Sequence, residues 1–418
     1  MEKSTLLENV KEYLSTKETN NQNTYHVTYP EIISEDIQSV ISSVLDGWFT
    51  EGKLADKFRS ELSAATKSRY SVLVNSGSSA NLLAVTACKD LWKNKDGDKV
   101  ITCATAFPTT VAPIIQNNLI PLFIDIDPNT LTYDIPEISK LLGRKDVVGI
   151  ILTHNLGFPH QANTIAEVCK LYKKWYIEDA CDALGAYSGE TPMGSIGDAS
   201  TFSFFPAHHI TTGEGGSVQT SNPKLYRLLQ QYGNWGRDCW CPPGKDNTCN
   251  KRFCHQWDTE LPSGYDHKYT FTKVGYNLKM TEMQAALGLS QIKRLSEFVA
   301  KRRTNYFKLF EVTKKYDLYL KAPKYVEGFS PFGFPMVASS YWTRKEFVEY
   351  LENINIRTRP IFSGNILKHP MMKNVEYEVS GELEGSDKLM NQAFFIGCHP
   401  LVTDEHIGMF EKALQDYF

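Results

Sequence analysis

Three groups of residues carry types and spacings that could do chemistry. The run Val72-Leu-Val-Asn-Ser-Gly-Ser-Ser-Ala80 passes from apolar residues into a turn of small ones, then into the helical pattern Asn81–Trp92. A helix starting after Gly77 and Ser78 offers free backbone N–H groups and hydroxyls, which suit a phosphate. A capped strand–turn–helix without any ligand reads the same way. The run Ile177-Glu-Asp-Ala-Cys-Asp-Ala183 ends a β-rich segment, and open α/β sheets place their ligands at such strand ends. An acid there can face a cationic ring nitrogen, because opposite charges favour the ionised carboxylate, or it can cap the next helix. The third group is cysteine. Nine cysteines are too few for a disulfide scaffold, and clustered thiols in a reducing compartment serve as metal ligands or catalytic groups. Cys88, Cys103, Cys169, Cys254 and Cys398 are isolated and read as small buried hydrophobes. Cys181, Cys239, Cys241 and Cys249 stand apart from them. The segment Trp235–Cys249 is rich in turn formers, as expected of a loop wrapped on a metal.

The elements that must position these groups alternate. β-rich runs fall at Val100–Ala104, Leu119–Ile126, Val147–Thr153, Trp175–Asp179 and Ser200–Phe205, with helical patterns between them at Thr109–Asn117 and Ala162–Lys174. Strand and helix repeated in this way predict an α/β domain with a mainly parallel sheet. From Thr281 to Tyr316 the pattern predicts one extended helix leaving the sheet. After Pro323 the character changes to short strands (Gly333–Val337, Arg357–Ile361) and two helices (Thr343–Asn353, Asp404–Tyr417), a smaller C-terminal α+β domain. The expected division is an N-terminal arm over 1–28, a large domain over 29–300 that includes a loop at 235–255, and a small domain over 301–418.

Composition excludes several function classes. The 418 residues carry a formal net charge of −3, with 42% hydrophobic and 22% charged residues, ordinary for a globular protein large enough for two or three lobes. No basic excess points to nucleic acid. No apolar run reaches the ~20 residues of a spanning helix. The polar first segment lacks the apolar core of a secretory signal, so the cytoplasm is the expected compartment.

The run Ser203-Phe-Phe-Pro-Ala-His-His-Ile-Thr-Thr-Gly-Glu-Gly-Gly216 resembles the active-site loop of the pyridoxal-phosphate sugar aminotransferases of the DegT/DnrJ type. The resemblance extends from about Tyr29 to the C-terminus, through the Gly-Ser-Ser turn, the Glu-Asp-Ala segment, the Gly-Glu-Gly-Gly turn and Gly275-Tyr-Asn-Leu-Lys-Met, in the family's order. It implies a type I aminotransferase (aspartate aminotransferase) fold with active sites at a homodimer interface. It also implies that Asp179 pairs with the pyridine nitrogen and that Asp182 lies on the ring's hydroxyl side. Gly77, Ser78 and Ser203 would take the phosphate, and Asn277 would reach it from the neighbouring subunit. Phe107 stands at the family's ring-stacking position, with a core phenylalanine as the alternative. His209 is expected to be structural, and His267 and Tyr269 are candidate sugar contacts.

His208 occupies the place of the family's lysine. A lysine amine can hold the cofactor aldehyde covalently; imidazole cannot, though it can move protons near neutral pH. This swap is the mark of the sugar-nucleotide 3-dehydrases, which use pyridoxamine 5'-phosphate to remove the 3-hydroxyl of a 4-keto-6-deoxy sugar. The spacing Cys181, fifty-seven residues, Cys239, one, Cys241, seven, Cys249 coincides with the cluster pattern of the branch that acts on a CDP-sugar. That branch carries a 2Fe-2S centre and draws electrons from a flavin and iron–sulfur, NADH-dependent reductase. Four thiolates also suit tetrahedral zinc. Two other readings stand beside this one: the cluster-free, glutamate-dependent branch acting on a GDP-sugar, and a noncatalytic, metal-braced binding protein.

Overall fold

The computed structural model describes residues 2–16, 23–254 and 259–418. Residues 1 and 17–22 of the expected arm and residue 255, the end of the expected loop, lie outside the described residues. Helices α1 (Lys3–Ser15), α2 (Ser34–Leu45) and α3 (Lys53–Thr66) lead into β1 (Tyr70–Val74) and α4 (Gly77–Leu91). Strands β2 (Lys99–Cys103), β3 (Ile120–Ile124), β4 (Val147–Thr153) and β5 (Trp175–Asp179) then alternate with α5 (Pro108–Gln116), α6 (Ile135–Leu142) and α7 (Ala162–Tyr172). A short hairpin of β6 (Tyr187–Ser188) and β7 (Thr191–Pro192) precedes β8 (Ala199–Ser203), β9 (Gly216–Thr220) and α8 (Pro223–Gly233). Beyond a long loop come α9 (Glu282–Gln291), α10 (Leu295–Thr313), β10 (Leu320–Lys321), β11 (Gly333–Ala338) and α11 (Tyr341–Asn353). The chain ends with β12 (Glu378–Val379), α12 (Glu384–Gln392), β13 (Ala393–Gly397) and α13 (Asp404–Tyr417).

Eight strands form the large sheet in the order β1-β9-β8-β5-β4-β2-β3-β12. Its central neighbours are parallel, and β9 alone runs against both of its neighbours. Successive residues of β4 divide between two cores: Ile151 packs with Val100, Ile177 and the apolar face of α4 and α8, while Ile150 and Leu152 pack with Ile101, Tyr176 and residues of α6 and α7. Helices on both faces bury a parallel sheet completely, which is why Val147–Thr153 reads as a continuous apolar run. The sequence pattern predicts β4, β5 and α13 to the residue.

Three expectations change. Residues 357–361 form no strand; only a single bridge from Arg359 to Phe395 runs beside β13, and Pro360 has no N–H to extend the ladder. The helix expected over 281–316 bends through a 3₁₀ turn at Ile292–Arg294 and another at Lys314–Tyr316. The first bend sits where Gln291 and Arg294 both reach the buried Asp36: Gln291 Nε2 donates to its Oδ2 at 2.7 Å and Arg294 Nη2 at 2.6 Å. The division expected at 300/301 falls inside α10, and β12, from the C-terminal part, pairs with β3 at the edge of the large sheet.

The Asp36 contact yields an expected outcome. Asp36→Ala removes a buried carboxylate that also accepts the Ile33 N–H and leaves its partners short of an acceptor, costing about 2–3 kcal/mol. A urea titration checks this. A midpoint equal to that of the unsubstituted protein would mean that the bend is intrinsic to its own sequence.

Candidate active site

The carboxyl ends of β1, β5 and β8 converge, and the residues singled out in the sequence meet there. Ser76 caps α4, its hydroxyl accepting the Ser79 N–H at 3.0 Å, so Gly77 and Ser78 occupy the first helical positions, one turn earlier than the pattern predicts. The first amides of a helix have no intrahelical acceptor. A β-carbon on Gly77 would come within 2.5 Å of the Ser203 Cβ and 3.1 Å of the Cys181 Sγ. Glycine is thus required for three segments to touch here, and Gly77, Ser203 and Cys181 share one floor. Ser78 is exposed, its hydroxyl donating to Thr109 Oγ1 at 3.0 Å.

Asp179 ends β5 and is buried. Its Oδ2 accepts from Thr110 Oγ1 at 2.6 Å and Asn81 Nδ2 at 2.9 Å, and its Oδ1 from the Cys181 N–H at 3.3 Å. Asn81 Oδ1 in turn accepts from Thr201 Oγ1 at 2.6 Å. Asn81, Thr110 and Thr201 were not singled out in the sequence. Asn81 had a readable signal, since it lies one helical turn beyond Gly77 on the same face. Phe107 is the N-cap of α5 and is 52% exposed, so it is no core residue.

His208 presents its Nδ1 to Asp182 Oδ1 at 3.3 Å, the side chain 14% exposed. Nδ1 is buried and lacks an aligned hydrogen-bond acceptor, as Asp182 Oδ2 lacks a donor, leaving Nε2 as the ring nitrogen able to reach a bound molecule. Phe332 flanks the ring at 5.2 Å, and Arg302 Nη2 donates to the His208 carbonyl at 3.2 Å. Burial pushes the Asp182 carboxyl above its ordinary value, with His208 opposing and Asp179 reinforcing that rise. His209 points the other way: it is buried, its Nε2 donates to the Ser330 carbonyl at 3.1 Å, and burial holds it well below the ordinary histidine value. A neutral, packed ring is a structural one. Gly157, at φ +83°, lets its backbone lie against Ser330 and Asp182; a β-carbon there would come within 1.8 Å of the Ser330 oxygen.

The remaining candidates lie elsewhere. Asn277 is exposed beside Lys279, whose Nζ donates to its Oδ1 at 2.7 Å; within one chain it does not join Gly77 and Ser203. Cys239, Cys241 and Cys249 bring their sulfurs within 4.8 Å of one another. Cys181 is not among them, and burial and Asp179 push its thiol well above the ordinary value. The three gathered thiols are chemically fit for a metal; the set of four is not assembled within one chain. His267 is no sugar contact: it is 2% exposed, enclosed beside the cysteines. Tyr269 is exposed. A cleft of about 1150 Å³ borders Cys239, Cys241 and Lys279 and does not include His208 in its walls.

The model of the DegT/DnrJ/EryC1/StrS aminotransferase family matches residues 30–415. The chain belongs to that family. It is 42% identical over 394 residues to the lipopolysaccharide biosynthesis protein RfbH of Salmonella typhimurium, covering 92% of this chain and 90% of the relative. It is 40% identical over 390 residues to the dTDP-4-dehydro-2,6-dideoxy-D-glucose 3-dehydratase of Saccharopolyspora spinosa, covering 92% and 84%. Among solved structures, the family member's fold is that of an E. coli GDP-4-keto-6-deoxy-D-mannose-3-dehydratase with bound hydrated PLP (TM-score 0.84, 28% identity, covering 94% of this chain and all of that one).

The Asp182 environment yields a pH-dependent expectation. An acid raised in the folded state binds its proton more tightly there than when unfolded, so folding loses stability as pH rises from the unfolded carboxylate value, near ~4, through the raised one. Asp182→Asn keeps the shape without the charge. Ligand-free Asp182→Asn should therefore be more stable than the unsubstituted protein at pH 8, by on the order of 1 kcal/mol, and equal to it near pH 4. Urea midpoints at the two pH values check this; a deficit at pH 8 would mean that Asp182 is a net stabiliser of the loop.

Proposed function

We propose that the protein is a pyridoxamine-phosphate-dependent sugar-nucleotide 3-dehydrase. Its substrate is CDP-4-keto-6-deoxy-D-glucose, in the making of 3,6-dideoxyhexoses for lipopolysaccharide O-antigen. It works as a cytoplasmic homodimer beside a 2Fe-2S cluster and an NADH-dependent flavin and iron–sulfur reductase. The observation that carries the reading is His208, its Nδ1 held toward Asp182 and its Nε2 free, in a loop from Ser203 to Gly216 that contains no lysine. The similarity to named 3-dehydratases supports the reaction class.

The cofactor, when bound, supplies a primary amine for the 4-keto group and a ring that accepts electrons as the 3-hydroxyl leaves. The residues fit it. The buried Asp182 Oδ2 has no donor, and Gly77 lets the first turn of α4 lie directly against Ser203, so that the free amides of that turn and the Ser203 hydroxyl stand together where a phosphate would bind. Asp179, fixed by Thr110 and Asn81, keeps a carboxylate for the ring nitrogen. Asp182 would lie on the ring's hydroxyl side, Phe107 would offer its half-exposed face, and Gly77, Ser78 and Ser203 would take the phosphate, with Asn277 contributed by a second copy. His208 Nε2 moves the protons. It has no amine to capture an aldehyde, so the cofactor is held without a covalent bond.

The cluster, when bound, supplies single electrons for the reductive half. The gathered thiols of Cys239, Cys241 and Cys249 favour this branch over the cluster-free GDP-sugar reading. Dehydration needs His208 and no outside electrons.

Two variants separate the halves. Borohydride should fix no cofactor to the unsubstituted chain, whereas His208→Lys should be labelled covalently and should release the 3-oxygen at least 10²-fold more slowly. Cys241→Ser should lose iron and form no dideoxy sugar with NADH and reductase, yet still release the 3-oxygen to water. Labelling of the unsubstituted chain would overturn the role of His208, and dideoxy product from Cys241→Ser at the unsubstituted rate would overturn the role of the cluster. The same assay with CDP-, dTDP- and GDP-linked 4-keto sugars tests the nucleotide, and a preference for either of the last two would remove the cytidine assignment.

A further inference from the structure

Arg302 stands on α10 beside the active-site loop and is 2% exposed, too deep to touch a bound molecule. Its partners are three backbone carbonyls. Nη2 donates to the His208 carbonyl at 3.2 Å, and Nη1 to those of Phe332 at 2.9 Å and Pro331 at 3.4 Å. Phe332 is the residue whose ring flanks the His208 imidazole, with centroids 5.2 Å apart at 48°. One guanidinium therefore binds both the backbone of His208 and the backbone of the side chain packed against it. Arginine's planar fork of five N–H groups suits acceptors on separate segments.

The contact with Asp182 does not by itself fix the imidazole. Asp182 Oδ1 lies 3.3 Å from Nδ1, but Nδ1 has no aligned hydrogen-bond partner, and a misaligned contact holds a ring only weakly. The remaining constraints pass through Arg302. The segment Ser330–Phe332 is itself pinned by its amides, the Ser330 N–H donating to the Gly157 carbonyl at 3.0 Å and the Phe332 N–H to the Leu156 carbonyl at 2.9 Å. Its carbonyls are taken by side chains, that of Ser330 by His209 and those of Pro331 and Phe332 by Arg302. Arg302 thus ties the His208 backbone to a segment that cannot shift.

We propose that Arg302 is the positioning residue of His208, setting the place of the imidazole and the aim of its Nε2 without touching cofactor or substrate. The inference rests on the reading of His208 as the group that moves protons. Proton transfer requires the two atoms to lie within hydrogen-bond reach, and a displacement of ~1 Å costs on the order of 10²-fold in rate. The next residue on α10 supplies a matched contrast. Arg303 Nε donates to the Phe329 carbonyl at 2.7 Å, so it ties the helix to the same stretch of chain without holding the His208 carbonyl.

The experiment compares the unsubstituted protein with Arg302→Met, Arg302→Lys, Arg303→Met and His208→Asn. Crystal structures of the cofactor-free proteins locate the His208 ring. Release of labelled 3-oxygen to water is timed in the pyridoxamine-phosphate-loaded proteins, with whichever CDP-, dTDP- or GDP-linked 4-keto sugar the unsubstituted protein uses fastest. In Arg302→Met the ring should shift by ~1 Å or more, and kcat should fall on the order of 10²-fold with KM unchanged. Lysine keeps the charge but lacks the fork. Arg302→Lys, which also serves should the methionine variant fail to fold, should show a smaller shift and an intermediate kcat. Arg303→Met should leave the ring and kcat as they are, even where its urea midpoint falls. An unmoved ring in the Arg302 variants that fold, a moved ring with kcat unchanged, or an equal loss of kcat in Arg303→Met would overturn the positioning role. His208→Asn turning over at the unsubstituted rate would instead remove the reading of His208, and the ring displacement in the Arg302 variants would stand apart from it.

Discussion

A carboxyl group buried at the end of a parallel strand must have its oxygens hydrogen-bonded, and Asp179 is such a group. It is buried, and the groups that bond it are the neutral donors Asn81, Thr110 and the Cys181 amide. Among the described residues no basic side chain pairs with it. Burying a polar group without hydrogen bonds costs several kcal/mol, so these three donors are what allow Asp179 to sit inside the fold. Much of the neighbouring structure serves this one group. Helix α4 turns in at Gly77 so that Asn81 reaches it, α5 begins at Pro108 so that Thr110 reaches it, and Thr201 on β8 fixes the Asn81 amide.

The adjacent histidines illustrate how position, not residue type, assigns chemistry. His209 is neutralised by burial and spent on the Ser330 carbonyl. His208, one residue earlier, stays at the rim with one nitrogen turned to Asp182. The Gly157–Ser330 contact and Arg302, which bonds the His208 carbonyl and the carbonyl of Phe332, tie this loop to the C-terminal part of the chain. The loop is therefore set by packing between segments far apart in sequence.

The cysteine loop follows a different logic. It has little core of its own, and its order comes from polar contacts: Arg252 with Asp266, His267 with Asp238, and Arg227 over the Trp240 ring at 4.8 Å.

Much of the fold was legible in the sequence. A strand buried on both faces must be apolar throughout and an amphipathic helix must show its period, so β4, β5 and α13 could be read from local pattern alone. The family's motifs named Gly77, Asp179, Asp182, Ser203 and His208, and the structure brings these together at one set of strand ends. What local sequence does not encode is which distant residues share a space. The bend after α9 depends on Asp36, some 250 residues earlier; the edge strand β12 depends on β3; and the companions of Asp179 come from two helices and a neighbouring strand. The cysteines make the same point most sharply. Spacing groups Cys181 with the other three, but the end of β5 carries it to Gly77 and Ser203, while His267 is carried to Cys249 by the return of its loop. Spacing fixes only the length of chain between two side chains; their separation in space is set by the packing of everything between them.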